Sequence, residues 1–302
     1  MSPAVVSSGN AAESHQLSHF PILDLRWDNN KGWMRGSRVM LHSQEETKGA
    51  VVFVHGWGGT AVDTWGGFPG LVRTSSALAG WDVFFFGYPS REHSTAFCAA
   101  KFQQFARDLL VEPDRHLIQP SLEEGVVVFK PRGTFSRVLV CAHSMGAVVV
   151  RRALLELEKN PLMTVRVSAV RLLLFAPAHK GSDIVRMLTS GLGLDWLPGG
   201  GTVARLLAIH FRSLEDVKPG SEALRNLEGD TRNTLLKRRG AGMPPDPFIA
   251  KVLHAENDKV VVQEAFGDDP WLDPVEAEDH RSICKPRSPE YLLPLQRVEA
   301  AL

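Results

Sequence analysis

The chain has 302 residues, long for one ordinary domain but normal for a single α/β enzyme. Lys and Arg together number 34, as do Asp and Glu, so the formal charge is zero and there is no electrostatic case for nucleic acid or an anionic membrane surface as a partner. The three cysteines, Cys98, Cys141 and Cys284, share no metal-type spacing, and so sparse and odd a count argues for a reducing compartment over a disulfide framework.

Residues 1–18 lack a basic segment followed by an apolar one, so they read as a flexible tail rather than a signal peptide. No apolar run approaches the ~20 residues a bilayer span needs. The expectation is a cytoplasmic protein without a transmembrane segment, with residues 19–302 forming one domain. Strands are expected at 20–27 and 37–42, joined by the hairpin signal Asn29-Asn30-Lys31-Gly32. The wholly apolar run 50–54 reads as a buried parallel strand, followed by a glycine-rich loop and a helix over 71–79. Residues 81–86 form the next strand. Over 95–111, Phe97, Phe102, Phe105, Leu109 and Leu110 fall near one helical face, and Pro113 ends the helix. Residues 125–130 fit either a small strand or an insertion. Further strands are expected at 138–140, 167–175 and 248–254. The alternation predicts an α/β fold with a mostly parallel sheet flanked by helices. Residues 182–247 are too long for a simple crossover. Apolar residues at helical spacing, Ile184, Val185 and Leu188, then Val203, Leu206 and Leu207, flank Gly199-Gly200-Gly201, and a helical lid is expected there; the plainer alternative is structural packing. Lys237-Arg238-Arg239 reads as a solvated face.

The stretch RVLVCAHSMGAVVVRRALLE, residues 137–156, is the one that carries chemistry. A β-branched apolar run enters a turn of small residues, Ala142-His143-Ser144-Met145-Gly146, and leaves in a helix that stops before Pro161. This is the form of a nucleophile elbow, where neighbours of the serine must be small because the turn is tight. Glycine is usual two places either side; here Ala142 takes the first position and Gly146 the second. Cys141, in the entering strand, reads as a small buried hydrophobe.

A serine hydroxyl needs a base, an acid to orient that base, and donors for an oxyanion. The loop His55-Gly56-Trp57-Gly58-Gly59 follows an early strand, and the natural donors are the backbone amides of Trp57 and Met145. His280 is the last of eleven histidines and lies in a polar turn before the terminal helical segment, where a parallel hydrolase sheet delivers its base. Elbow geometry turns His143 away from the hydroxyl, and His55 and His179 are expected to brace loops. Gly56, Gly58, His143 and His179 make up the expected substrate-contacting set. For the acid, Asp258 has the better shape, a carboxylate at a turn followed by apolar residues; Glu256 and Asp183 are rivals. With Asp258 the chain order is Ser, Asp, His.

Four stretches carry a family resemblance: VVFVHGWGG; AHSMGA; Ala176-Pro177-Ala178-His179-Lys180-Gly181-Ser182; and Asp279-His280-Arg281-Ser282-Ile283-Cys284-Lys285-Pro286. They resemble the α/β-hydrolase superfamily, and within it the lipase-like branch that includes GPI inositol-deacylase-like serine esterases. Val217-Lys218-Pro219-Gly220-Ser221 is similar to a lid-region segment of such lipases. The third stretch departs from their pattern through Ala178, and Ala147 replaces a usual glycine. The resemblance implies hydrolysis of a small-molecule or lipid ester through a covalent acyl-enzyme, with Ser144, Asp258 and His280 as triad and with neither cofactor nor metal. A thioesterase or amidase would use the same machinery. A catalytically silent binding or signalling module is the competing class, although no triad member is missing.

Overall fold

The computed structural model describes residues 23–26, 38–42, 47–72, 74–111, 134–192, 211–287 and 289–302. The tail 1–18, the hairpin signal 29–32, the segment 125–130 and the apolar positions 203–207 with their preceding glycines lie outside them. Seven strands form one sheet: β1 (Leu23–Arg26), β2 (Arg38–His42), β3 (Gly49–Val54), β4 (Trp81–Phe86), β5 (Val138–His143), β6 (Val170–Phe175) and β7 (Lys251–Leu253). The order is β1-β2-β4-β3-β5-β6-β7. The first two strands pair antiparallel, as a hairpin should, and β2 pairs antiparallel with β4. From β4 to β7 the five strands are parallel. Every residue of β3, β4 and β5 is buried, which is why these segments read as continuous apolar runs rather than alternating ones.

The helices are α1 (Phe68–Val72), α2 (Thr95–Val111), α3 (Met145–Glu158), α4 (Pro161–Val167), α5 (Ile184–Leu192), α6 (Arg212–Asp216), α7 (Glu222–Gly240) and α8 (Leu293–Glu299). α2, α4 and α7 all pack on α3, the helix that leaves the elbow. α2 has the predicted bounds, and Phe102, Phe105, Leu109 and Leu110 are buried along it.

Several boundaries differ from the sequence expectation. The helix expected over 71–79 ends at Val72. Ser75 and its neighbours divert the backbone: Leu78 N donates to Ser75 Oγ, and that hydroxyl donates to Glu299 of α8 at 2.6 Å. The strand expected from 167 starts at Val170, because Pro161 begins a helix as well as stopping one. Asn160 caps that helix by accepting from Leu162 N, and proline at the first helical position loses no hydrogen bond. The strand expected over 248–254 is only Lys251–Leu253. Arg238, expected on a solvated face, is buried: its guanidinium donates to Glu158 at 2.7 Å and to the Pro244 carbonyl at 2.8 Å. Within 182–247, α7 is a packed layer on α3, tied to it by Arg152–Asp230 at 3.0 Å.

A second buried cation ties α3 to the strand side. Arg151 donates to Asp269 Oδ2 at 2.6 Å and to the Phe248 carbonyl at 2.9 Å, while Asp269 Oδ1 accepts from Ala250 N at 2.7 Å. Removing one partner of such a pair strands the other charge in the core. Asp269→Ala is therefore expected to lower unfolding free energy by about 3–5 kcal/mol, read from urea denaturation midpoints.

Candidate active site

β5 ends at His143 and α3 begins at Met145, leaving Ser144 alone at the apex. Its backbone takes φ 55°, ψ −125°, a strained conformation for a residue with a side chain. Backbone bonds pin it: Ser144 N donates to the Phe175 carbonyl at 3.0 Å, and its own carbonyl accepts from Ala147 and Ala178. Gly146 is required by close approach, since a Cβ there would stand 2.4 Å from the His55 carbonyl oxygen. Gly56 is required likewise, a Cβ there falling 2.7 Å from Ser144 Cβ. Ala142 is fully buried in register with Val54 and Leu174, so at this position the sheet accommodates a methyl group. Gly146→Ala is expected to cost roughly 1–3 kcal/mol by overpacking and to displace the elbow from the His55 loop, seen as a lower melting temperature.

Ser144 Oγ lies 3.0 Å from His280 Nε2, and His280 Nδ1 lies 2.8 Å from Asp258 Oδ2. Asp258 sits in the turn after β7, and its other oxygen accepts from Val260 N at 2.7 Å and Val261 N at 3.1 Å. Burial alone would raise the Asp258 carboxyl. The hydrogen bond and charge of His280, with the two valine amides, outweigh that and hold it below the usual carboxylate range. The rivals do not reach His280: Asp183 caps α5 by accepting from Arg186 N, and Glu256 accepts from Ala277 N.

His280 is presented by a tight loop. Asp279 Oδ1 accepts from Arg281 N and Ser282 N, both at 2.8 Å, and Asp279 N donates to Ser282 Oγ. A contact invisible in the sequence completes it: His143 Nε2 is 2.7 Å from the His280 carbonyl oxygen. Burial, helped by the nearby charge of His280, drives the His143 pKa to about 3, so the ring is neutral and its Nε2–H donates. The histidine before the nucleophile thus turns away from the hydroxyl and holds the loop that carries the facing imidazole.

The glycine loop is braced in the same manner. His55, which burial lowers to about 4, is neutral; its Nδ1 donates to Gly56 O and its Nε2 accepts from Tyr88 N. Tyr88 also donates its hydroxyl to the His55 carbonyl at 2.7 Å, and Gly58 N donates to Ser90 Oγ. Trp57 packs edge-on to Phe211, at the start of α6.

These loops enclose a cleft of about 260 Å³ whose walls include Gly56, Trp57, Gly58, His143, Ser144 and His280, with Met187 of α5. His179 is not in it. Ala178, whose amide binds the Ser144 carbonyl, takes the place beside the elbow; His179 turns into the interior, 4.4 Å from the Phe266 ring. Cys284 lines the cleft, but burial pushes its thiol up to about 12, so it is no thiolate nucleophile. Among the described residues no group of three or more His, Cys, Asp or Glu could hold a metal, and no helix is long and apolar enough to cross a membrane.

A parallel sheet in this order, with an elbow serine at the end of β5, defines an α/β hydrolase fold. The chain belongs to the family described as "Alpha/beta hydrolase of unknown function (DUF900)", whose family model matches residues 37–190. No curated protein shows significant sequence similarity to it. Among solved structures it is similar to the Bacillus licheniformis lipase BlEst2 in mature form, at 14% identity and TM-score 0.52, over 86% of this chain and 97% of that one. It is also similar to the Paleococcus ferrophilus monoacylglycerol lipase, at 12% identity and TM-score 0.50, over 89% of this chain and 100% of the other. At such identities the likeness is one of fold.

Proposed function

We propose that the protein is a serine hydrolase of acyl esters, an esterase or lipase, that works through a covalent acyl-enzyme. The observation that carries this reading is the unbroken hydrogen-bond chain from the strained elbow serine through His280 to Asp258, at 3.0 and 2.8 Å. His280 donates Nδ1–H to Asp258 and accepts the Ser144 proton at Nε2 as Oγ attacks the ester carbonyl carbon. The carbonyl oxygen, now negative, receives the backbone N–H groups of Trp57 and Met145; a donor of this kind is worth ~3–4 kcal/mol of barrier. The imidazolium returns its proton to the departing alkoxide, releasing the alcohol. Water then attacks the acyl-enzyme with His280 again as base, and the acid leaves.

Ester substrates are favoured by the lipase-like motifs and by the lipases among the structural neighbours. We assign the cover of the site to α5, whose Met187 reaches the cleft wall, while α7 packs on α3. The test is direct. A fluorophosphonate probe should label the wild type but not Ser144→Ala, and short-chain p-nitrophenyl esters should be cleaved by the wild type alone. Folded wild-type protein that does neither refutes the reading.

A further inference from the structure

The cleft that holds Ser144 is also lined by a cation that the proposed chemistry does not use. Lys285 follows buried Cys284, and its backbone is fixed by Lys285 N donating to Ser282 O at 2.9 Å. Its stem passes close over Gly66: Cβ and Cγ lie 3.1 and 3.3 Å from where a Cβ on that glycine would stand. The side chain is half-buried and borders the same cleft as Ser144 and His280. No carboxylate lies within ion-pair distance of its ammonium among the described residues. Asp63, a carboxylate lining the same cleft, accepts from the Thr60 hydroxyl at 2.9 Å and makes no ion pair with Lys285. A half-buried cation on the wall of a cleft, with no ion-pair partner among the described residues, is a site for an anion.

We propose that Lys285 forms an anion subsite of the Ser144 cleft, so that the preferred ester carries a carboxylate or phosphate on one of its two halves. This rests on the esterase reading of the same cleft. The anion on the acyl half and the anion on the alcohol half make the same contact and differ only in which half lies toward Lys285.

Two matched pairs separate these cases. For the acyl half they are p-nitrophenyl hexanoate and the mono-p-nitrophenyl ester of adipate; for the alcohol half, monohexanoylglycerol and its phosphate monoester. In one pair the wild type should prefer the anionic member in kcat/KM by about tenfold or more, as a hydrogen-bonded charge warrants. Lys285→Met should abolish that preference, Lys285→Glu should invert it, and Lys285→Arg should restore most of it. An anionic-to-neutral ratio within about threefold of the wild type in Lys285→Met, for both pairs, overturns the subsite while leaving the hydrolase reading intact. Calorimetric binding of the same four esters to Ser144→Ala is independent of turnover. If the wild type cleaves none of them but Ser144→Ala still binds an anionic ester in a Lys285-dependent way, the subsite stands and the hydrolase reading falls. If binding shows no charge preference either, the subsite falls with it.

Discussion

Ser144→Ala is expected to reduce kcat by roughly a millionfold while leaving the fold and substrate affinity in place. The size follows from the division of labour in the site. Without Oγ nothing can form the acyl-enzyme, and His280 has only water to activate, at a position set for a serine. The residue of rate, roughly 10³–10⁴ over water, should come from binding and the oxyanion donors alone. The fold should survive because the substitution removes one atom. Ser144 Cβ already sits against Gly56, and the backbone bonds to Phe175, Ala147 and Ala178 use no side-chain atom. The lost Oγ–Nε2 hydrogen bond should cost only about 1 kcal/mol. Steady-state kinetics on p-nitrophenyl esters, with a melting curve for each protein, checks both halves. Turnover within tenfold of the wild type would place the nucleophile elsewhere.

Much of this site was legible in the chain because its demands are local. A tight elbow needs small residues around the serine, and a short apolar run before it can only be a buried strand, so 138–146 reads correctly without tertiary information. The proposed order Ser144, Asp258, His280 is read on similar grounds: the serine follows a strand, Asp258 lies in the loop that follows another, and His280 is in the last polar turn. What was not legible depends on long-range partners. His143 looks like a bystander until the His280 carbonyl, 137 positions away, is seen 2.7 Å from its Nε2. Arg238 looks solvated until Glu158 and Pro244 enclose it. His179 was expected at the substrate and lies against Phe266 instead, while Ala178 makes the contact with Ser144. The choice among Asp258, Glu256 and Asp183 likewise depends on how the loops are placed. All three carboxylates sit near strand ends, and only spatial register separates the one that faces an imidazole from two that cap backbone amides.

That register also makes Asp258→Asn the more informative of the two large-effect substitutions. Asp258 Oδ1 accepts from the Val260 and Val261 amides, and Oδ2 faces His280 Nδ1. An asparagine here has one satisfactory orientation, because its NH₂ cannot point at two N–H donors. Its oxygen must stay toward the valines, which turns the NH₂ toward His280. Nδ1 then becomes an acceptor, and the imidazole proton is forced onto Nε2, where it blocks removal of the Ser144 proton. The expected result is a loss of about 10⁴-fold in kcat with little change in binding or in melting temperature. Asp258→Ala removes the carboxylate without imposing the wrong tautomer, but it also strips the two valine amides of their acceptor. It should therefore melt lower than the asparagine variant, by about 1–3 kcal/mol of stability, although it is no worse a catalyst. The isosteric change disabling the chemistry and the truncating change loosening the turn is the pattern that distinguishes an orienting carboxylate from a merely structural one. A purely structural Asp258 would give near-normal kcat in the asparagine variant, and a loss appearing in Asp183→Asn instead would move the orienting role to the start of α5.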